Sequence, residues 1–158
     1  MISIYTGAVH TGKTTSLRAW AKESVGTGGF LTPDRNGSRV FENIATKEVI
    51  PFQVDSTEHA ATLEVGPYVF LKSTFQSGIK VVAEQIDNAL YDTIIIDELG
   101  KLELKGEGFA QIGYMIAQDY LNKHFIVIVR DSLVHQIAQK FEFPCYSVIR
   151  DTTKLLPQ

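Results

Sequence analysis

The run Gly7-Ala8-Val9-His10-Thr11-Gly12-Lys13-Thr14 matches Gly-x-x-x-x-Gly-Lys-Ser/Thr at every fixed position. That spacing strongly constrains the local fold. The glycines let the backbone turn tightly and aim its N–H groups at one point. A helix beginning at the loop adds the partial positive charge of its N-terminus there. The flanks agree with this arrangement. Met1 to Thr6 alternates apolar and polar and predicts a short strand. From Thr14 to about Glu23 the chain lacks Gly and Pro and predicts a helix, stopped by Gly26, Gly28 and Gly29. The expected ligand of such a loop is a phosphate chain. The residues Gly7 to Thr14 would wrap it, Lys13 would reach the β- and γ-phosphates, Thr14 would hold Mg²⁺, and Thr15 would lie near the α-phosphate.

Downstream, Thr93-Ile94-Ile95-Ile96-Asp97 is a β-branched run with no alternation, as expected of a strand covered on both faces. Phe125 to Val129 is a second such strand, and Cys145 to Ile149 is read as a last one. Helices are predicted over Phe75–Leu90, Phe109–Leu121 and Ser132–Lys140. Phe30–Thr32, Ser38–Ile44 and Glu48–Val54 are β-prone and separated by turn signals. They predict a small antiparallel meander over about residues 28–54. Asp55 to Glu64 reads as a loop and Tyr68–Leu71 as a short strand. The pattern predicts an α/β P-loop fold in three layers, with a mostly parallel sheet, helices on both faces and a small antiparallel β insertion, in one domain over 1–158.

A phosphate loop of this kind needs a carboxylate from a neighbouring strand to help hold the metal ion. Asp97 closes the most apolar strand, which is the position for that role, and Glu98 follows it directly. A carboxylate one residue past the metal-holding one can orient and deprotonate an attacking water. Glu98 and Lys13 are therefore the expected catalytic groups, and Thr14 and Asp97 the expected metal ligands.

Ile96-Asp97-Glu98-Leu99-Gly100-Lys101-Leu102-Glu103-Leu104 closely resembles a segment of the nucleoside-triphosphatase family first described from thermophiles, whose eukaryotic relatives are called cancer-related nucleoside triphosphatases. Gly29–Arg35, Val65–Val69 and Ile149–Asp151 resemble further segments of that family in the same order. The chain departs from the family at Val9-His10, at Pro67 and at Ile149. The resemblance implies Mg²⁺-dependent, slow hydrolysis of ATP, GTP and other nucleoside triphosphates to the diphosphate. It also implies nucleotide binding by Gly7–Thr14 and by the segment ending at Lys101.

Other residues have weaker claims. His10 is read as a loop position facing solvent. Lys101 is read as neutralising phosphate or pairing with Glu103. Arg130 and Arg150 follow buried strands, where ligands of open α/β sheets bind. Arg150 is kept as a nucleotide contact, while Arg130 is read as a surface ion pair. Arg35 and Arg39 are read as solvated charges, Trp20 as core or interface, and Cys145 as buried. The competing readings are a small-molecule or nucleoside kinase, for which Lys101–Gly108 makes a poor lid, and a non-catalytic nucleotide-dependent switch. A formal charge of −3 gives no excess positive charge for nucleic acid or anionic membrane. No apolar run has the length of a membrane helix, no signal peptide is visible, and one cysteine excludes an internal disulfide. A cytoplasmic location is the expectation, with a protein partner left open.

Overall fold

Isoleucine, valine and phenylalanine are concentrated in short runs, and those runs become the centre of the sheet. In the computed structural model, which describes residues 1–8, 11–56 and 61–155, five strands lie parallel: β1 (Ile2–Tyr5), β2 (Thr27–Leu31), β9 (Thr93–Ile96), β10 (His124–Ile128) and β11 (Ser147–Ile149). Their spatial order is β11-β1-β10-β9-β2. The sheet continues with β4 (Ser38–Asn43), antiparallel to β2, and with β3 (Asp34–Arg35) and β5 (Val49–Pro51), which both pair with β4. A separate antiparallel sheet has the order β6-β8-β7, from β6 (Gln53–Val54), β7 (Thr62–Val65) and β8 (Tyr68–Leu71).

Each face of the main sheet buries alternate residues of its strands. On one face, Tyr5, Leu31, Ile95, Ile126 and Ile128 pack with Leu17 of helix α1 (Lys13–Glu23). Ile4, Phe30, Ile94, Ile96 and Val127 point the other way. They meet helices α2 (Lys72–Ile86), α3 (Lys101–Leu104), α4 (Ala110–Asp119) and α5 (Val134–Lys140) through residues such as Val82, Leu102, Ile112 and Ile137. Burying such side chains is worth about 1.5–3 kcal/mol each. The expected three-layer arrangement is therefore observed. Among the described residues no helix is long and apolar enough to cross a membrane.

Several elements differ from the sequence expectation. Phe30 and Leu31 do not start a peripheral meander: β2 is a core strand, parallel to β9 and fully buried. The antiparallel addition begins only after it. Gly28 and Gly29 are likewise not helix stops, since α1 ends at Glu23. They stand inside β2, where the carboxamide of Gln85 and the backbone of Ile95 come too close for a side chain. Thr62–Glu64, expected as loop, lie with Val65 in β7 because β8 pairs with it along its whole length. Residues 57–60 of that expected loop lie outside the described residues. The helix predicted from Phe75 to Leu90 runs three residues further toward the N-terminus and stops at Ile86, leaving Leu90 exposed. Cys145 is exposed and precedes β11 instead of lying buried within it.

His124 begins β10 half-buried, with its Nε2 2.8 Å from the Ser3 hydroxyl. Burial, helped by the positive chain terminus, lowers its pKa to about 4. The folded protein thus keeps this imidazole neutral at pH values where the unfolded chain, near 6.5, takes up a proton. Stability contributed by the neutral ring is complete above about 6.5 and is lost as the pH falls toward 4. After discounting for its partial exposure, the loss is on the order of 1–2 kcal/mol. His124→Gln is expected to flatten the drop in melting temperature between pH 7 and pH 5. An unchanged slope in the variant would assign that pH dependence to other groups.

Candidate functional site

The cleft lies beyond the carboxyl ends of the parallel strands, and each strand delivers one component. Gly7 and Ala8 follow β1, Thr32 follows β2, Asp97 and Glu98 follow β9, and Arg130 lies just past β10. This is the edge at which open α/β sheets bind ligands, because loops diverge there and helix N-termini point inward. The cavity over the loop measures about 430 Å³ and is lined by Thr11 to Thr15, Asp97, Glu98 and the arginines 18, 39 and 130.

The loop's geometry follows from its glycines. Gly12 caps α1 in the left-handed region, with φ 74°, which a glycine adopts without strain. The helix has no side-chain cap and no acidic residue in its first turn. Its first N–H groups are left without helical partners and face the cavity, an arrangement suited to an anion. Lys13 Nζ donates to the Ala8 carbonyl at 2.8 Å, so the cation stands over the loop. The Thr11 hydroxyl donates to the same carbonyl at 2.8 Å. Thr15 is exposed in the first turn and lines the cavity. Val9 and His10 lie outside the described residues, so the readings made of them have no structural counterpart here.

Thr14 and Asp97 meet directly. The Thr14 hydroxyl donates to Asp97 Oδ2 at 2.8 Å. The carboxylate is 2% exposed, and the same oxygen accepts from the Thr32 N–H at 3.0 Å. The Thr32 hydroxyl donates to the Asp97 carbonyl at 3.0 Å and so ties β2 to β9. Asp97 does not come from the strand next to the loop strand, as the sequence reading supposed: β10 stands between β1 and β9. Helix α1 bridges the gap, since it leaves β1 and crosses over the sheet toward β2, carrying Thr14 above the end of β9.

Glu98 sits beside this pair with its side chain 27% exposed, and Arg130 Nε lies 3.8 Å from its Oε1. Burial, then the charge of Asp97, raises its pKa above the ordinary glutamate value, and Arg39, Arg130 and Lys13 oppose the rise. The site therefore holds a carboxylate of increased basicity next to a two-oxygen cluster, with cations around both.

Two arginines have a different place from the one their sequence positions suggested. Arg39, read as a solvated charge, is half-buried, donates to the Thr32 hydroxyl at 3.3 Å and faces Glu98. Only the antiparallel return of β4 brings it there, and no local pattern announces such a return. Arg130 does form an ion pair, but with Glu98 of the site. Arg35 stays largely exposed, bound to Glu42 at 3.2 Å. Arg150 is exposed and paired with Asp131 at 3.0 Å, beyond the residues that line the cavity. Lys101 is the exposed first residue of the short helix α3. Glu103 turns inward instead of pairing with it, accepting from the N–H groups of Gly100 at 2.7 Å and Phe109 at 2.9 Å.

Comparison with known proteins bears on the family and the fold. The nucleoside-triphosphatase THEP1 of Thermotoga sp. (strain RQ2) is 30% identical over 112 residues, 69% of this chain. The match spans 63% of that relative's length. Among solved structures, the chain is similar to the crystal structure of THEP1 from Aquifex aeolicus, with TM-score 0.71 and 23% identity over 95% of this chain and 89% of that one. It is also similar to the solution structure of a human cancer-related nucleoside triphosphatase, with TM-score 0.62 and 19% identity over 97% and 89%. The description of the NTPase family fits residues 3–158, and the chain belongs to that family.

Proposed function

We propose that the protein is a Mg²⁺-dependent hydrolase that converts ATP and other nucleoside triphosphates to the diphosphate and phosphate. The observation that carries this reading is the 2.8 Å contact between Thr14 and Asp97, with Glu98 as the next residue on the cleft side. A hydroxyl and a carboxylate are hard oxygen donors of the kind Mg²⁺ takes, and the ion accepts one or two from a protein while substrate phosphates and waters supply the rest. The donor set therefore fits the ion. When bound, it would neutralise charge on the β- and γ-phosphate oxygens.

The chain's own residues do the remaining work. The loop amides of Gly7–Thr14 and the start of α1 hold the phosphates, and Lys13 turns from the Ala8 carbonyl to the β- and γ-oxygens. Glu98 orients a water and takes its proton as the oxygen attacks the γ-phosphorus. Arg39 and Arg130 surround the group being transferred and supply positive charge from within the chain. Membership of the NTPase family and the similarity to a nucleoside-triphosphatase support the same chemistry.

Phosphate release from ATP, GTP, CTP and UTP tests the reading. Release from several of the four is expected, lost on chelation of Mg²⁺ and lowered about 10²–10³-fold by Lys13→Ala. Nucleotide binding without release from any of them would overturn it.

A further inference from the structure

A second cavity, about 490 Å³, adjoins the first and is lined by none of the loop residues Thr11 to Thr15. It shares Thr32, Asp34, Arg39, Asp97, Glu98 and Arg130 with the first, so the two are chambers of one cleft and Glu98 lines both. Their walls differ in chemistry. The loop chamber is lined by threonines and charges, whereas the second, beside the shared polar residues and Lys101 and Glu103, has an apolar side formed by Phe52, Phe70, Phe75, Phe109, Val65 and Tyr68. Phe52, Phe75 and Phe109 are at most 5% exposed, and their mutual packing accounts for them as core. Core packing does not account for Tyr68, which is 53% exposed at the start of β8; the half-buried Val65 and Phe70 beside it pack against the core. That small sheet adds an aromatic wall facing the reactive carboxylate.

We propose that this chamber binds a flat aromatic alcohol of about nucleoside size, whose hydroxyl takes the place of water as phosphoryl acceptor. The proposal rests on the nucleotide site described above. The volume falls within the range of small-molecule sites, about 300–1,000 Å³. An aromatic wall favours a ring, since rings gain from offset or edge contacts. A hydroxyl on that ring's stem would meet Glu98, because Glu98 lines both chambers. In the step, the hydroxyl oxygen bonds to the γ-phosphorus as the bond to the β–γ bridging oxygen breaks. The hydroxyl proton passes to Glu98, and the products are a nucleoside diphosphate and a phosphate monoester. Arg39, Arg130 and Lys101 line the chamber and match the charge the acceptor gains.

The test uses the full chain, Mg²⁺ and γ-labelled ATP, with adenosine, guanosine, cytidine, thymidine, uridine or pyridoxine as acceptor and glycerol as a ringless control. Label is followed into monoester and into inorganic phosphate. At least one ring-bearing alcohol is expected to divert label into monoester, with glycerol giving none. Val65→Trp, which fills the chamber, is expected to lower monoester formation about tenfold or more while phosphate release stays within about twofold of wild type. Tyr68→Ala, at an exposed position, is expected to weaken the apparent affinity for the alcohol without changing that for ATP. Phosphate release with no monoester from any alcohol overturns the acceptor proposal alone, as does equal transfer to glycerol. A large rise in the KM for ATP in Val65→Trp, with no monoester, overturns it in favour of the nucleotide's own base in the chamber. Monoester formation without phosphate release when no alcohol is present overturns the hydrolase reading and upholds the acceptor. Absence of both products overturns both.

Discussion

Glu98→Gln is expected to slow phosphate release from ATP by about 10²–10⁴-fold while leaving nucleotide binding near the wild-type value. Glutamine keeps the size of the side chain and its ability to accept a hydrogen bond from water, but it cannot take up the proton. The residues proposed to hold the phosphates and the ion, Lys13, Thr14 and Asp97, are untouched. A second signature accompanies the loss. Burial and the adjacent Asp97 raise the pKa of Glu98, so its proton is held to a higher pH than that of an ordinary glutamate. A base must be ionised to act, so wild-type activity is expected to fall as the pH drops through that raised value. The acid limb of kcat/KM therefore lies above the ordinary glutamate value and disappears from the residual activity of the variant. Pre-steady-state phosphate release and nucleotide titration over pH 5–9 measure both effects. If the variant keeps more than about a tenth of the activity, the proton goes elsewhere and Glu98 is not the base.

The largest expected effect on stability comes from Gly29→Ala. Gly29 has φ +93° and pairs with Ile95 in the middle of the sheet. A Cβ built there would stand 1.9 Å from the Ile95 carbonyl oxygen and 2.5 Å from its nitrogen. Both are backbone atoms of a central strand held on each side by hydrogen bonds, so neither can move aside. The cost is expected to exceed about 4–5 kcal/mol, a large part of the roughly 5–15 kcal/mol of net stability of a typical domain. Gly37→Ala separates the two contributions. Its φ is +84° with nothing within 4 Å of an added Cβ, so it incurs only the left-handed backbone strain, about 1–2 kcal/mol. Urea denaturation of both variants checks this, and equal losses would show that the close approach to Ile95 contributes nothing.

Much of this protein could be read from the chain alone because its strongest signals are local. The spacing of Gly7, Gly12, Lys13 and Thr14 specifies a strand, a turn and a helix within a few residues. The unbroken apolar run ending at Asp97 could only be a strand covered on both faces. From those two segments follow the layered α/β fold, the place of Thr14 and the closeness of two adjacent carboxylates to the loop. The structure adds a direct hydrogen bond between Thr14 and Asp97, at 2.8 Å.

What the tertiary structure decided are pairings between distant residues. Phe30 and Leu31 look equally at home in a meander or in a core strand, and their pairing with Ile95 and Ile96 made them core. Arg39 has no sequence signal for the site, since only the antiparallel return of β4 swings it toward Thr32 and Glu98. Glu103 sits in the same local pattern as Lys101, yet one folds inward onto the N–H groups of Gly100 and Phe109 while the other stays in solvent. The aromatic chamber is the extreme case, with walls drawn from β6–β8, α2, α3 and the turn before α4. Local pattern reports what one segment prefers, whereas a cavity is a property of how several segments pack, and the energy that decides it is shared among all of them.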